Sequence, residues 1–319
     1  MVYADTEQGP AYPYHHKDQQ RRLGEEVHEA QHHTQDGGLT GARAAPGVIG
    51  SDLKVGILYV VAIGGLGELA ALMAGWSSNN KFALIGSFRV VAQLVSYEIP
   101  IVLAIITVVL ASGSMQLGAI VAAQDVPFLF TLPVAFLIFF VASIAEIGRC
   151  PFDLQEAESE IVAGFHTEYS GMKFAMFFIG EYMHLFSASG IATALFLGGW
   201  RGPGASEASI LGVLLGFVYF LAKTTLLVFV MMWVRGTLFR IRIDHLLDFG
   251  WKFLVPVGLF LVVAVAFVLK VPLLNSPSIR WLGMLAANGV VILVSLAVVV
   301  LAARHSRSAA LRGVAGVDG

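Results

Sequence analysis

From residue 55 onward the chain alternates between long apolar stretches and short polar ones. The apolar stretches predict seven helices, at roughly 55–75, 93–113, 128–148, 172–198, 209–233, 252–270 and 281–303. Each is apolar for about the 20 residues a bilayer crossing needs. Gly75, the Ser112–Ser114 stretch, a glycine-rich run from Gly198 to Gly204 and the Asn275–Pro277 turn punctuate them. Residues 1–50 are a different material: rich in Gly, Gln and His, with five of the nine histidines and no hydrophobic core of a signal peptide. Such a segment cannot bury enough apolar surface to offset chain entropy. The pattern therefore divides the chain into a hydrophilic, disordered or non-native N-terminal segment (1–50), a transmembrane domain (51–303) and a cytoplasmic tail (304–319).

Composition strengthens this picture. Of 319 residues, 57% are hydrophobic and 13% charged, and the mean hydropathy is +0.76. Soluble domains are nearer about 45–50% apolar and about 25% charged. The expected fold is all-α: a polytopic transmembrane helical bundle of about seven helices with an acidic cytoplasmic loop, multi-pass in the bilayer. The net charge of −2 gives no sign of a nucleic-acid partner, because the charge is local. The single cysteine, Cys150, excludes an internal disulfide framework, a four-cysteine zinc site and an iron–sulfur cluster held by this chain alone. Lys/Arg asymmetry sets the orientation. Loops 76–92, 149–171 and 234–251 with the flanking Lys173 and Lys252, and the C-terminal tail, hold eleven Lys/Arg, against three on the opposite side past residue 54, so these loops face the cytoplasm. The same parity leaves the N-terminal tail outside, with five Lys/Arg before Gly56.

Candidate chemistry lies where charge interrupts this pattern. Glu68, Glu98, Glu181 and Lys223 fall within hydrophobic spans, and Glu146 sits at a helix end. A charge at mid-bilayer costs about 2.5–3.5 kcal/mol on insertion scales, so these groups must face a bundle interior or a hydrated cavity. They are either ion or proton path residues or structural groups paired within the bundle. Tyr97 beside Glu98 and Tyr182 beside Glu181 suggest sites where a carboxylate could pass a proton through a phenol or water. Between Glu146 and Glu181 the chain reads EIGRCPFDLQEAESEIVAGFHTEYSG, in which Pro151 breaks the helix and apolar anchors alternate with acids. Such a loop can fold back into the membrane boundary where it is buried in protein or lines water. Crowded loop carboxylates at low dielectric raise one another's pKa and can answer a neighbouring change of charge.

The stretch EIGRCPFDLQEAESEIVAGFHTEYSGMKFAMFF, followed by GEYMHLF, resembles the signature of the quinone-site membrane subunit of respiratory complex I, NADH:quinone oxidoreductase (the H subunit in bacterial naming, subunit 1 in mitochondrial naming). AGWSSNNKFALIGSFRVVAQLVSYEIP at 74–100 and KTTLLVFVMMWVRGTLFRIRIDHLLDFGWKFLVP at 223–256 resemble two further segments of that family, in the same order. The likeness covers roughly residues 47–270. It implies a subunit of a proton-pumping translocase of the cell (inner) membrane, lining a tunnel for ubiquinone or menaquinone as substrate, with no covalently bound cofactor and no metal. Peripheral-arm quinone-site subunits, antiporter-like membrane subunits and the lipid bilayer would be its partners. By motif position, Arg89, Glu98, Glu146, Arg149, Asp153, Glu158, Glu160, Glu168 and Glu181 would line the tunnel or the acidic proton path beyond it. Arg235, Arg240, Arg242 and Asp244 would belong to a loop closing the cavity. No side chain is implied as catalytic, and no flavin, nicotinamide or cluster motif gives the chain a redox centre of its own.

The sequence also departs from that family. Gly148, Cys150, His166 and Phe239 replace residues usual there, which implies altered loop geometry and not lost charge. The family's first two helices, and an amphipathic surface helix between them, have no counterpart in residues 1–50. Loss of two helices preserves parity, and a start-site or frame error would account for the stranded hydrophilic tail. The last helix lies beyond the shared core and reads as accessory. The same core occurs in membrane-bound [NiFe]-hydrogenases and related dehydrogenases. A stand-alone ion transporter is the reading of a different class, against which no inverted repeat is visible. His28-Glu29-Ala30-Gln31-His32 matches the H-E-x-x-H zinc pattern, but its Gly/Gln-rich tail offers neither a hydrophobic face nor a third ligand, and chance in a His-rich segment accounts for it.

Overall fold

The computed structural model describes residues 53–148, 151–152, 164–205, 210–238, 243–270 and 281–295. These all belong to the unit Ala45–Gly319, and among them only helices and their connections form. The first apolar stretch gives α1 (Gly56–Gly64) and α2 (Leu66–Ser77), which follow one another with Gly65 between them. The Gly64-Gly65 pair weakens the ladder at this point. It also lets another element come close, since a Cβ on Gly65 would lie 3.3 Å from Oε1 of Glu98.

The second expected helix, α3, runs Lys81–Ser112 and so starts well before the expected 93. Most of the loop expected at 76–92 is helical. The Asn80 side chain accepts a hydrogen bond from the Phe82 N–H at 3.0 Å and caps the helix, and the buried Ala83, Gly86, Ser87 and Val90 give this extension a packed face. At 1.5 Å per residue α3 is about 48 Å long, well beyond a hydrocarbon core of about 30 Å. It ends where Gly113 adopts φ 74°, a left-handed cap that Gly takes without strain.

Short helices α4 (Leu117–Ala122) and α5 (Phe128–Thr131) precede α6 (Pro133–Ile147). The expected single helix from 128 is therefore split. Pro133 disfavours helical backbone at the residue before it, and Leu132 leaves the helix with φ −130°. Next come a short 3₁₀ turn at Gly164–His166, α7 (Met172–Phe196) and α8 (Ile210–Thr237). Helix α9 (Ile243–Phe249), a π turn (Gly250–Leu254) and α10 (Val255–Lys270) make one run where a loop to 251 and a helix from 252 were expected. Pro256 has no N–H to donate and crowds the carbonyl four residues back, and the helix widens to π just ahead of it. The last described helix is α11 (Trp281–Ser295).

Among the described residues four helical runs are long and apolar enough to cross a membrane: Gly56–Ser77, Lys81–Ser112, Ile210–Thr237 and His245–Lys270. Pro133–Ile147 and Trp281–Ser295 are shorter and apolar. The chain is a membrane protein. In such a setting apolar surface gains little by leaving lipid for protein, so close packing and polar contacts hold helices together. α3 is the central element, packed on α6, α2 and α10. Buried Ala104, Ala135, Ala142, Ala145, Ala188 and Ala192 let backbones approach, and Phe139 and Phe196 fill the space between them.

Polar contacts fix the register. Gln93 of α3 is fully buried and donates to the carbonyls of Ala145 (2.6 Å) and Phe152 (2.9 Å), tying the end of α6 and the entry to the acidic loop to one side chain. Tyr97 donates to the Leu246 carbonyl at 2.9 Å, and Trp251 Nε1 to Ser96 Oγ at 3.1 Å, which fastens α9 and the π turn to α3. Asn288 of α11 accepts from the Val134 N–H (3.3 Å) and donates to the Thr131 carbonyl (3.2 Å), completing the first turn of α6. Lys223 of α8 donates to the carbonyls of Leu197 (2.9 Å), Gly199 (3.0 Å) and Arg201 (2.8 Å). Of the two readings open for Lys223, the structure supports the structural one. Gly198 and Gly199 take positive φ and gather these carbonyls around a single ammonium.

Candidate functional site

Four helices each bring one carboxylate to the same place. Glu68 comes from α2, Glu98 from α3, Glu146 from the last turn of α6 and Glu181 from the first half of α7. Two adjoining cavities receive them. One, of about 300 Å³, is lined by Glu68, Glu146, Glu181 and His184 together with Val90, Leu94, Phe165, Met176 and Phe177. The other, of about 420 Å³, is lined by Glu98, Ser143, Glu146, His184 and Ser187 among Val60, Ile63, Ile101, Ile105, Phe139 and Met183. Gly64, Gly67, Glu146, Gly180 and His184 border both, so the cavities meet at a wall made of three small residues and two polar ones. Each volume has room for several waters.

The carboxyls are close enough to interact. Those of Glu68 and Glu98 are near enough to act on one another. Oε2 of Glu146 lies 3.6 Å from Nε2 of His184, longer than a hydrogen bond but within the reach of an ion pair. Ser143, 1% exposed and one turn before Glu146, also lines the second cavity, and its buried hydroxyl has no hydrogen-bond partner among the described residues.

The turn that follows the acidic loop docks on the N-terminal extension of α3. A Cβ on Gly86 would lie 3.0 Å from Gly164, so the two backbones touch. Tyr169 donates to the Ala74 carbonyl (2.8 Å) and shares a hydrogen bond with Ser77 (2.7 Å), and Asn80 donates to Glu168 (2.9 Å). His166 sits among the rings of Phe165, Phe174, Phe177 and Phe178. Burial there pushes its imidazole down to about 4, so it is neutral at pH 7.

The structure brings together some of the residues singled out in the sequence and sets others apart. Glu98, Glu146 and Glu181 line the cavities. Arg89 stands half-buried on α3 beside Val90 but outside the cavity walls. Glu168 is exposed and held by Asn80. Arg235 borders a separate small pocket with Ile147 and Leu185. Asp244 is described only by its backbone, in the first turn of α9. Arg149, Asp153, Glu158, Glu160, Arg240 and Arg242 lie outside the described residues, as do the five histidines of residues 1–50 and their H-E-x-x-H match. The expected Tyr97 relay does not form: its hydroxyl is taken by Leu246, because adjacent helical residues point about 100° apart. Tyr182 is exposed and lines neither cavity, for the same reason. Two participants were missed. The sequence pattern marks Glu68 as a costly charge without placing it in the site, and it does not single out His184. The signal for His184 was its spacing: three residues after Glu181, on the same face of an apolar helix. Among the described residues no three His, Cys, Asp or Glu side chains are grouped so as to hold a metal ion.

Residues 39–266 match the model of the family described as NADH dehydrogenase. The chain is 48% identical over 252 residues to the H subunit of NADH-quinone oxidoreductase from Dehalococcoides mccartyi (strain CBDB1), covering 79% of this chain and 69% of that protein. It is 49% identical over 219 residues to the H subunit of NADH-quinone oxidoreductase from Geobacillus kaustophilus (strain HTA426), covering 68% and 64% of the two chains.

Proposed function

The chain belongs to the NADH dehydrogenase family, alongside the H subunits of NADH-quinone oxidoreductases, and on that premise we propose that it forms the quinone tunnel and the start of the proton-coupling path of such an enzyme in the cell membrane. The observation that carries this reading is the convergence of Glu68, Glu98, Glu146 and Glu181, from four helices, on two adjoining cavities with largely apolar walls. Apolar walls suit a lipid-soluble carrier. The carboxyls can respond to the negative charge that appears as a quinone is reduced and takes up two protons.

In this reading the subunit's part in catalysis is positional and electrostatic. Gln93 fixes both the end of α6, which carries Glu146, and the entry to the acidic loop. The Gly86–Gly164 contact and the Tyr169 and Glu168 bonds fix the loop's exit. Arg89, Arg149, Asp153, Glu158 and Glu160 complete the acidic path, and Arg235, Arg240, Arg242 and Asp244 the closing loop, on the cytoplasmic side. Peripheral-arm quinone-site subunits dock there, and antiporter-like subunits receive the displaced charge. The test is Glu146→Gln or Glu181→Gln in the assembled enzyme. Quinone reduction and proton translocation should both fall by about 10²-fold or more. Unchanged rates of both in the two variants would refute the reading.

A further inference from the structure

The two cavities hold four carboxyls but little to balance them. Among the described residues that line either cavity, His184 is the only side chain able to carry positive charge. It stands where the cavities meet, with Nε2 buried and 3.6 Å from Oε2 of Glu146. The titratable groups that line the cavities with it are Glu146 from α6, Glu181 from its own α7, Glu68 from α2 and Glu98 from α3, with Ser143 and Ser187 among the other lining residues, while α8, packed on α7, brings Arg235 to a separate pocket beside Ile147 and Leu185. Besides His184, those in the cavities are all acids. An imidazole in that position is attracted by the nearby Glu146 and Glu181 when protonated, and it has a second nitrogen with which to pass a proton on.

We propose that His184 is the proton-carrying partner of Glu146 at the junction of the two cavities. This rests on the reading of the site given above and adds a residue to it. In the step itself the proton on Oε2 of Glu146 moves to Nε2 of His184. The neutral carboxyl and imidazole become a carboxylate–imidazolium pair, and the net charge of the cavity does not change. The proton then stands on a group bordering both cavities, from which the carboxyls of either can take it. The 3.6 Å separation closes with one bridging water or a small rotation of the imidazole. Apolar neighbours cannot perform this exchange, and the two hydroxyls nearby cannot hold the charge.

The experiment compares His184→Asn, His184→Gln and Glu146→Gln in the complete membrane-bound enzyme. It follows assembly on native gels and the rate of quinone reduction from about pH 5 to 9. The histidine variants should assemble, lose about 10²-fold in rate at neutral pH, and lose one limb of the pH profile. Combined with Glu146→Gln they should cost little beyond that single change, since both remove one exchange. A wild-type pH profile in either histidine variant would overturn the proposal. So would failure of both to assemble, which would make His184 a structural residue. Should Glu146→Gln also leave the rate intact, the reading of the whole site fails. If Glu146→Gln abolishes turnover while His184→Asn does not, only the histidine's role is lost.

Discussion

Gln93 is the side chain on which the geometry of the site turns, and Gln93→Met isolates its contribution. Methionine keeps the length and flexibility of glutamine but has no N–H to donate. The native amide serves two carbonyls, at 2.6 Å on Ala145 and 2.9 Å on Phe152. These losses are unequal. The Ala145 carbonyl keeps a second partner, the Gly148 N–H at 3.2 Å, so its loss costs about 0.5–1.5 kcal/mol. Gln93 is the donor to the Phe152 carbonyl among the described residues, and losing it in a buried setting costs about 1–3 kcal/mol. Part is recovered, because Oε1 of Gln93 is itself buried without a partner among the described residues and disappears in the variant. The net is a destabilisation of about 1–3 kcal/mol, or roughly 5- to 150-fold in the local opening equilibrium. Because α3 remains packed along its length, the opening should be confined to the last turn of α6 and the loop entry. Hydrogen–deuterium exchange on the assembled enzyme should show faster exchange in peptides ending α6 and unchanged exchange in α8 and α10. Quinone reduction should fall with it, since Glu146 rides on that turn. Exchange in those peptides within about twofold of wild type would refute the assignment of Gln93 as the tie between α6 and the loop.

Three further outcomes follow from the same structure. His166 is held neutral down to about pH 4 in the folded chain, whereas its free value is 6.5, so the unfolded state binds the extra proton between these values. Its contribution to stability should be fully present above about pH 6.5 and drain away as the pH falls toward 4. Melting temperatures against pH should show this slope in wild type and a weaker one in His166→Phe. Lys223→Met removes three hydrogen bonds from the 197–201 turn and should cost about 2–4 kcal/mol of stability while leaving the apparent affinity for quinone unchanged, as read from melting and from KM. Gly86→Ala puts a methyl group 3.0 Å from Gly164 backbone and should cost about 1–3 kcal/mol, with faster proteolysis at the loop exit as the readout.

Much of the architecture was legible before any coordinates. The apolar stretches gave the helices in order because the length needed to cross a bilayer is a local property of sequence. Glu68, Glu98, Glu146 and Glu181 stood out because an acid in an apolar span is costly wherever it is placed. Helix boundaries were less legible. α3 begins at Lys81 and α9 at Ile243 because polar residues there are absorbed by caps and by contacts with distant segments: Asn80 with Glu168, and Trp251 with Ser96. Sequence hydropathy registers the polarity and not the partner.

The sequence by itself determined that this is a membrane protein made of helices, that its acids must face inward, and, through three long motifs, the family to which it belongs. Only the tertiary structure decided which acids meet. It joined Glu68 to Glu98 and His184 to Glu146, gave Lys223 to a turn of backbone carbonyls, and turned Tyr97 away from the carboxylate beside it. The reason is physical: the cost of burying a charge is set by the residue and its surroundings in the chain, but what offsets that cost is supplied across helix–helix contacts. Such partners lie tens to more than a hundred residues apart, as Tyr97 and Leu246 do, and no local pattern specifies them.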